Sequence, residues 1–358
     1  MNICLCMIVK NESRIIERCL DSAKSVIDFV SVCDTGSTDN TLEVIENWCQ
    51  HNNIPGIVHN KPFKNFGYSR TLSAELAKEA FPEADYLLLL DADMILKVEG
   101  FEKEALNAPG YMLMQVSRDL QYWNTRIIST KSSWECLGVT HEFWRLNNFG
   151  SGYELDGLRI VDMEDGGSKG SKFLRDERLL LEALEGSLSS ELRIRYTFYL
   201  AQTYYCLGQM EKSIEWYNKR IQLGGWQEEV YYSYYQIGLA YEHMKDFAKA
   251  IHTLTKAWSY RKTRAESLYH VSRICREQGD HNLCVLFALE GKKIELPDDI
   301  LFVDYHVYDY LLDYELSISG YYSNRGIGLE AQRRLEARIE TLPKYIADSV
   351  KSNAQYYV

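Results

Sequence analysis

The chain has 358 residues, a net charge of −11 and 46% apolar content. That length allows two domains and a large buried core. The acidic balance argues against nucleic-acid binding, which needs Lys and Arg to meet phosphates, and no run approaches the roughly 20 apolar residues of a membrane span.

The opening MNICLCMIVKNE has no basic region before its apolar stretch and no small-residue cleavage site after it. A buried strand is therefore expected over Ile3–Val9, with Cys4 and Cys6 on one face, where a disulfide between them would be strained. The nine cysteines form no CxxC pair, which implies buried thiols in a reducing, cytoplasmic compartment. Residues 13–25 carry Ile15, Ile16, Cys19, Leu20 and Ala23 at helical spacing. A second strand runs over residues 29–33 and stops at Asp34. A turn over residues 35–39 then leads into a helix over Thr41–Asn52. A third strand over Gly56–Asn60, a helix over residues 68–80 and a continuous apolar strand over residues 86–90 follow. This β-α-β-α-β order predicts an α/β layer fold with right-handed crossovers. Ligands of such sheets bind outside the carboxyl ends of the strands, so Asp34 and Asp91 are expected to face one crevice.

From Tyr111 to about Ile160 the pattern turns β-rich. The stretch DMEDGGSKGSK reads as a loop, and helices begin near Phe173. There the residues from Tyr204 align with those from Tyr241 at a spacing of 37, and Ile251 aligns with Val285 at a spacing of 34. Helix pairs repeating at about 34 residues resemble tetratricopeptide repeats. The expected organisation is an α/β domain over residues 1–172 and an all-α helical-repeat domain over 173–358, clearest over about 196–295.

Asp91-Ala92-Asp93 is the central chemical signal. Two carboxylates on a turn after a buried strand can both meet one cation, and hard oxygens suit Mn²⁺ or Mg²⁺. The alternative is a solvated turn. Asp34, ending its strand, can accept from a base N–H or a ribose hydroxyl. Ser37 and Asp39 are carried as further nucleotide ligands, beside a capping role for Ser37, Thr38 and Asp39. In Gly138-Val139-Thr140-His141-Glu142, His141 can complete the metal site, and Glu142 can deprotonate an acceptor. Asp165, in the Glu164-Asp165 pair, is the other candidate base. Lys169, Lys172 and Arg175 flank Gly166, Gly167 and Gly170, where the backbone can approach phosphate closely; the alternative is a basic linker. Trp134 is a candidate acceptor-stacking ring.

MIVKNE, DTGSTDNT, FGYSRTLS and LLLLDADMIL, in that order over roughly residues 3–97, resemble the family 2 glycosyltransferases of the GT-A fold. The resemblance implies a Rossmann-like nucleotide-diphospho-sugar transferase domain, with Asp34 on the uracil or ribose of a UDP-sugar. It also implies Arg70 on the nucleotide, and Asp91 and Asp93 on ribose, metal and diphosphate. The family more often has Arg-Asn where this chain has Arg70-Thr71. The Gly-x-x-His-Glu segment and the Gly-rich loop are similar to those of a repeat-bearing subset that includes peptide S-glycosyltransferases of bacteriocin maturation. Members of this kind occur in bacteria and in large DNA viruses, where the compartment would be the host cytoplasm. The implied reaction is inverting transfer from a UDP-sugar to a protein, peptide or glycan. The helical half can hold the acceptor in its concave groove, form a homodimer or only brace the catalytic domain, and acceptor binding with dimerisation is the preferred reading. A nucleotidyltransferase fits less well, for want of a basic Gly-rich loop near the first strand. A non-catalytic repeat scaffold would not need Asp34, Asp91, Asp93 and Glu142 intact.

Overall fold

The computed structural model describes residues 1–117, 120–146, 152–166 and 172–357. Lys169, expected beside a diphosphate, lies outside them. The chain forms two compact units, Met1–Gly186 and Ser187–Val358.

The first unit opens β1 (Ile3–Val9), α1 (Ile16–Ala23), β2 (Phe29–Asp34), α2 (Thr41–Asn52), β3 (Gly56–Asn60), α3 (Phe66–Ala80) and β4 (Tyr86–Leu89). It continues with β5 (Met94–Val98), β6 (Gly110–Ser117), β7 (Leu120–Ser129), β8 (Trp134–Leu137), β9 (Phe143–Leu146), β10 (Tyr153–Asp162) and α4 (Lys172–Glu185). Eight strands make one mixed sheet in the order β3-β2-β1-β4-β7-β6-β10-β5, and β8 pairs with β9 in a separate hairpin. β1, β2, β3 and β4 are parallel, as the β-α-β order predicts. β7 then runs antiparallel to β4 and β6.

The alternation of β1 decides its packing. Ile3, Leu5, Met7 and Val9 join Ile16, Leu20, Ile45 and Trp48 from α1 and α2 on one face. Cys4 and Cys6 join Ala74, Ala77, Leu87 and Trp134 on the other. β4 is buried on both faces, which is why it reads as an unbroken apolar run. Burying a side chain such as Leu88 contributes about 1.5–3 kcal/mol. All nine cysteines are free thiols, and Cys206 alone is exposed.

α4 lies beyond the expected boundary at residue 172 yet belongs to the first unit. The tie is polar. Asp176, almost fully buried, accepts from the Thr140 hydroxyl at 3.1 Å. A loop-like composition before α4 did not mean a domain break.

The second unit is helical: α5 (Ser190–Cys206), α6 (Met210–Leu223), α7 (Gln227–His243), α8 (Phe247–Tyr260), α9 (Glu266–Glu277) and α10 (His281–Gly291) form three hairpins. α11 (Leu312–Ser323), α12 (Arg325–Glu336) and α13 (Lys344–Asn353) follow. The repeat is written in the turns. Gly208, Lys245 and Gly279 occupy the same place in each hairpin, with φ of 74°, 62° and 82°. The next N–H reaches back each time, from Gln209 to Tyr204 O, Asp246 to Tyr241 O and Asp280 to Cys275 O, at 2.9, 2.9 and 2.8 Å. This left-handed cap favours glycine, and the middle repeat uses lysine. Lys245→Gly is therefore expected to stabilise the helical unit by about 0.5–1 kcal/mol, since the mismatch with φ is removed. Urea denaturation checks this, and a lower midpoint for the variant would contradict the cap assignment. Among the described residues no helix is long and apolar enough to cross a membrane.

Candidate active site

Four chain segments meet at the carboxyl ends of the central strands. The first is the DTGSTDNT turn after β2. Asp34, 3% exposed, accepts from the backbone N–H of Gly36 and Ser37 at 3.0 Å each. It thus folds its own turn, aided by Gly36 at φ 112°. The Ser37 hydroxyl accepts from Asn11 N–H at 2.9 Å, and Thr41 Oγ1 accepts from Glu12 N–H at 2.8 Å. These bonds tie the Asn11-Glu12 stretch after β1 to the turn.

Asp39, at the exposed end of the turn, holds the neighbouring backbone. Its carboxylate accepts from Thr41 N–H at 3.1 Å and from Ser13 N–H at 3.2 Å. Burial opposes its ionisation, but the bonds from Thr41 and Ser13 outweigh that and hold the carboxyl at about 2, below the ordinary 3.8. Such a depressed carboxyl stabilises the fold above its unfolded pKa, and the contribution is lost as pH falls through the folded value. Between about pH 4 and about pH 2, Asp39→Asn is expected to lose less thermal stability than the natural chain. Parallel acid limbs in the two melts would contradict this.

The second segment is the Asp91-Ala92-Asp93 turn, closed by Met94 N–H to Asp91 O at 3.0 Å. β5 starts at once after it, and pairs with β10 rather than β4. The two aspartates differ in surroundings. Asp91 Oδ1 pairs with Arg70 at 2.7 Å, and Oδ2 lies 3.5 Å from Arg126 Nη1. Burial opposes ionisation of Asp91, but the Arg70 and Arg126 guanidiniums outweigh it and hold the carboxyl below the usual range. Asp93 goes the other way. Burial pushes its carboxyl up, and the charges of Asp91 and Asp162 add to the rise, against a bond from Gly166 N–H.

The third segment is the hairpin tip between β8 and β9, residues 138–142. Gly138 at φ 115° and His141 at φ 49° bend it sharply. It is pinned to the start of α3 by Gly67 N–H to Gly138 O at 2.8 Å and Phe66 N–H to Val139 O at 3.1 Å. Gly67 has to be glycine here, because a Cβ would stand 2.5 Å from Gly138 O. The result brings Glu142 Oε1 to 2.6 Å from Arg70 Nε. Arg70 thus joins Glu142 to Asp91.

The fourth segment is the stretch after β10. Asp162 Oδ1 accepts from Glu164 N–H at 2.9 Å, and Glu164 accepts from the Ser117 hydroxyl. Asp165 is held in a bidentate pair by Arg18 at 2.7 and 2.8 Å. Gly166 lies against Asp93 and Glu12.

Several expectations change. Among the described residues no three His, Cys, Asp or Glu side chains are grouped to hold a metal, so Asp91, Asp93 and His141 do not assemble into one ligand set. Asp91 is already matched by two guanidiniums. Trp134 is not an acceptor platform. It is 6% exposed, its indole N–H donates to Pro109 O at 3.0 Å, and its ring covers Gly110. Large aromatics in such amphipathic hairpins serve the core first. Arg175 stacks on Phe66 with 4.7 Å to the ring centroid and reaches Asp176. It braces α4, while Lys172 is exposed at the helix start. Arg126 and Gln115 were missed. Their signal was polarity inside apolar strands, an arginine between Thr125 and Ile127. Tyr122, 43% exposed, lies close enough to Arg126, Asp162 and Asp91 to feel their charges.

Residues 4–162 match the family described as glycosyl transferase family 2, and residues 231–263 match a tetratricopeptide repeat. The chain is 30% identical over 117 residues to a TPR repeat-containing protein of Synechococcus elongatus, covering 32% of this chain and 27% of that protein. It is 40% identical over 95 residues to the chondroitin synthase of Pasteurella multocida, covering 26% of this chain and 9% of that one. The chain thus spans well under two thirds of either relative. Among solved structures, S. aureus TarS is similar at 14% identity and a TM-score of 0.36, over 70% of this chain and 54% of that one. The chain thus carries a glycosyl transferase family 2 domain over residues 4–162, followed in the helical unit by a tetratricopeptide repeat over residues 231–263.

Proposed function

We propose that the protein is an inverting glycosyltransferase that moves a hexose or N-acetylhexosamine from a UDP-sugar to a protein, peptide or glycan. The observation that carries this is the junction of Arg70 with both Asp91 and Glu142 at the strand ends. It sets a candidate proton acceptor beside the turn that faces the donor in the family pattern.

Asp34 has lone pairs left after binding Gly36 and Ser37, and these accept from the uracil or ribose. The residues present fit a divalent cation held by Asp93 and completed by donor phosphate and water. Mg²⁺ and Mn²⁺ commonly use one or two carboxylates plus substrate oxygens. Burial and the neighbouring charges of Asp91 and Asp162 make Asp93 the place where a cation relieves excess negative charge. Such an ion would neutralise the charge that develops on the departing diphosphate.

Glu142 takes the acceptor proton as the nucleophile reaches the anomeric carbon from the face opposite UDP. Arg70 holds Glu142 through Oε1 and so orients the carboxylate. Asp165 has both oxygens held by Arg18, which makes it the weaker candidate. Tyr122 takes over from Trp134 as the aromatic face offered to a sugar ring.

The test is UDP release from a panel of UDP-sugars, with Mn²⁺ and with chelator. Slow, metal-dependent hydrolysis of one donor establishes the class and names the sugar. No release and no UDP binding with any metal would move the reading to a repeat scaffold.

A further inference from the structure

We propose that Arg126 is a positioning residue, delivered by a β-bulge, that clamps Asp91 and the stretch following β10 into one rigid donor floor. This deepens the transferase reading and rests on it.

The backbone comes first. β6 and β7 pair as Tyr111 with Ile127 and then Met112 with Thr125, so Arg126 is the extra residue of a bulge. β4 and β7 pair from Tyr86 with Ser129 to Leu88 with Ile127, and Arg126 comes just past the end of that ladder. A bulge re-aims one side chain while the flanking strand keeps its register. Arg126 is 8% exposed in a strand whose neighbours Thr125 and Ile127 are also buried. An uncompensated guanidinium there would be costly, so its partners account for its presence.

The network built on Arg126 links four strands, β4, β7, β6 and β10. Arg126 Nη1 lies 3.4 Å from Leu89 O and 3.5 Å from Asp91 Oδ2, both at the end of β4. Its Nε and Nη2 donate to Gln115 Oε1 on β6 at 3.2 and 2.8 Å. Gln115, 2% exposed, passes the contact on: its Nε2 donates to Asp162 Oδ2 at the end of β10, at 3.2 Å. Asp162 in turn holds Glu164 N–H, and the same stretch leads to Gly166, whose N–H reaches Asp93. The chain Asp91–Arg126–Gln115–Asp162–Glu164 therefore links both flanks of Asp93. Each oxygen of Asp91 has its own guanidinium, Arg70 on Oδ1 and Arg126 on Oδ2. A carboxylate held from two sides cannot rotate, and the Asp93 turn next to it inherits that rigidity.

Arg126→Met keeps the length and buries no charge. Gln115 Oε1 retains the Asn124 amide at 3.3 Å, and Asp91 retains Arg70, so the fold should persist. With the best UDP-sugar, Arg126→Met is expected to lower kcat by about 10²-fold, with donor KM changed far less. Arg126→Lys, which restores charge without the planar fork, should recover part of that loss. Amide exchange over residues 152–166 should quicken in Arg126→Met and stay slow over β1. Unchanged kcat, or a loss that scales only with the fraction of unfolded protein, would overturn the proposal. So would unchanged exchange over residues 152–166. If the natural chain turns over no UDP-sugar, the transferase reading fails by itself, and the exchange comparison still decides whether the clamp exists.

Discussion

Asp93→Asn is expected to lower metal-dependent UDP release by about 10²–10³-fold, the scale seen when one charge-stabilising group is removed from a site. The neutral amide can still accept from Gly166 N–H, so the turn keeps its shape. What goes is the charge that burial and the charges of Asp91 and Asp162 crowd together. For that reason the melting temperature should hold or rise while activity falls. This opposite movement separates a cation site from a structural turn. Turnover unchanged in the variant, with the same response to chelator, would remove Asp93 from the mechanism. Asp91→Asn should behave differently. It leaves Arg70 and Arg126 facing a neutral partner, and the loss of a half-buried ion pair should lower stability as well as turnover.

Glu142→Gln is expected to lower transfer to the acceptor by about 10²–10⁴-fold, the usual range for a positioned general base. Glutamine can still accept from Arg70 Nε, so the hairpin tip stays in place and donor binding should survive. Asp165→Asn is the paired control. Its expected effect is under about tenfold, through release of Arg18 rather than through chemistry. If Asp165→Asn loses transfer and Glu142→Gln keeps it, the base lies in the stretch after β10, and the Arg70 junction serves geometry alone.

Much of the site was legible along the chain. DTGSTDNT announced a strand end, a glycine turn and a helix start, and each of those elements is there. LLLLDAD announced a central buried strand with a turn of carboxylates. These are local signals, set by periodicity and by the φ that a turn demands. The identity of the partners was not local. Arg126 and Gln115 are separated from Asp91 and Asp162 by long stretches of chain, and only the sheet order β4-β7-β6-β10 sets them side by side. Trp134 illustrates the converse. An aromatic near His141 suits sugar stacking by proximity in sequence, but the pairing of β8 with β9 turns it onto Gly110 and into the core.

The helical half divides in the same way. The spacings of 37 and 34 residues mark the repeat, and the three left-handed turns occur at those positions. α4 shows the limit of composition, for a Gly- and Ser-rich approach reads as a linker, whereas the Thr140–Asp176 bond and burial of Asp176 bind that helix to the first unit. The amino-acid sequence by itself determined the two fold classes, the strand ends that carry Asp34 and Asp91, and the repeat, because hydrophobic period and turn chemistry act within a few residues. Only the tertiary structure decided that Asp91 is matched by two arginines, that burial and the nearby carboxylates of Asp91 and Asp162 oppose ionisation of Asp93, and that Glu142 shares Arg70 with Asp91. Those facts depend on which distant side chains the sheet order and one bulge bring within reach.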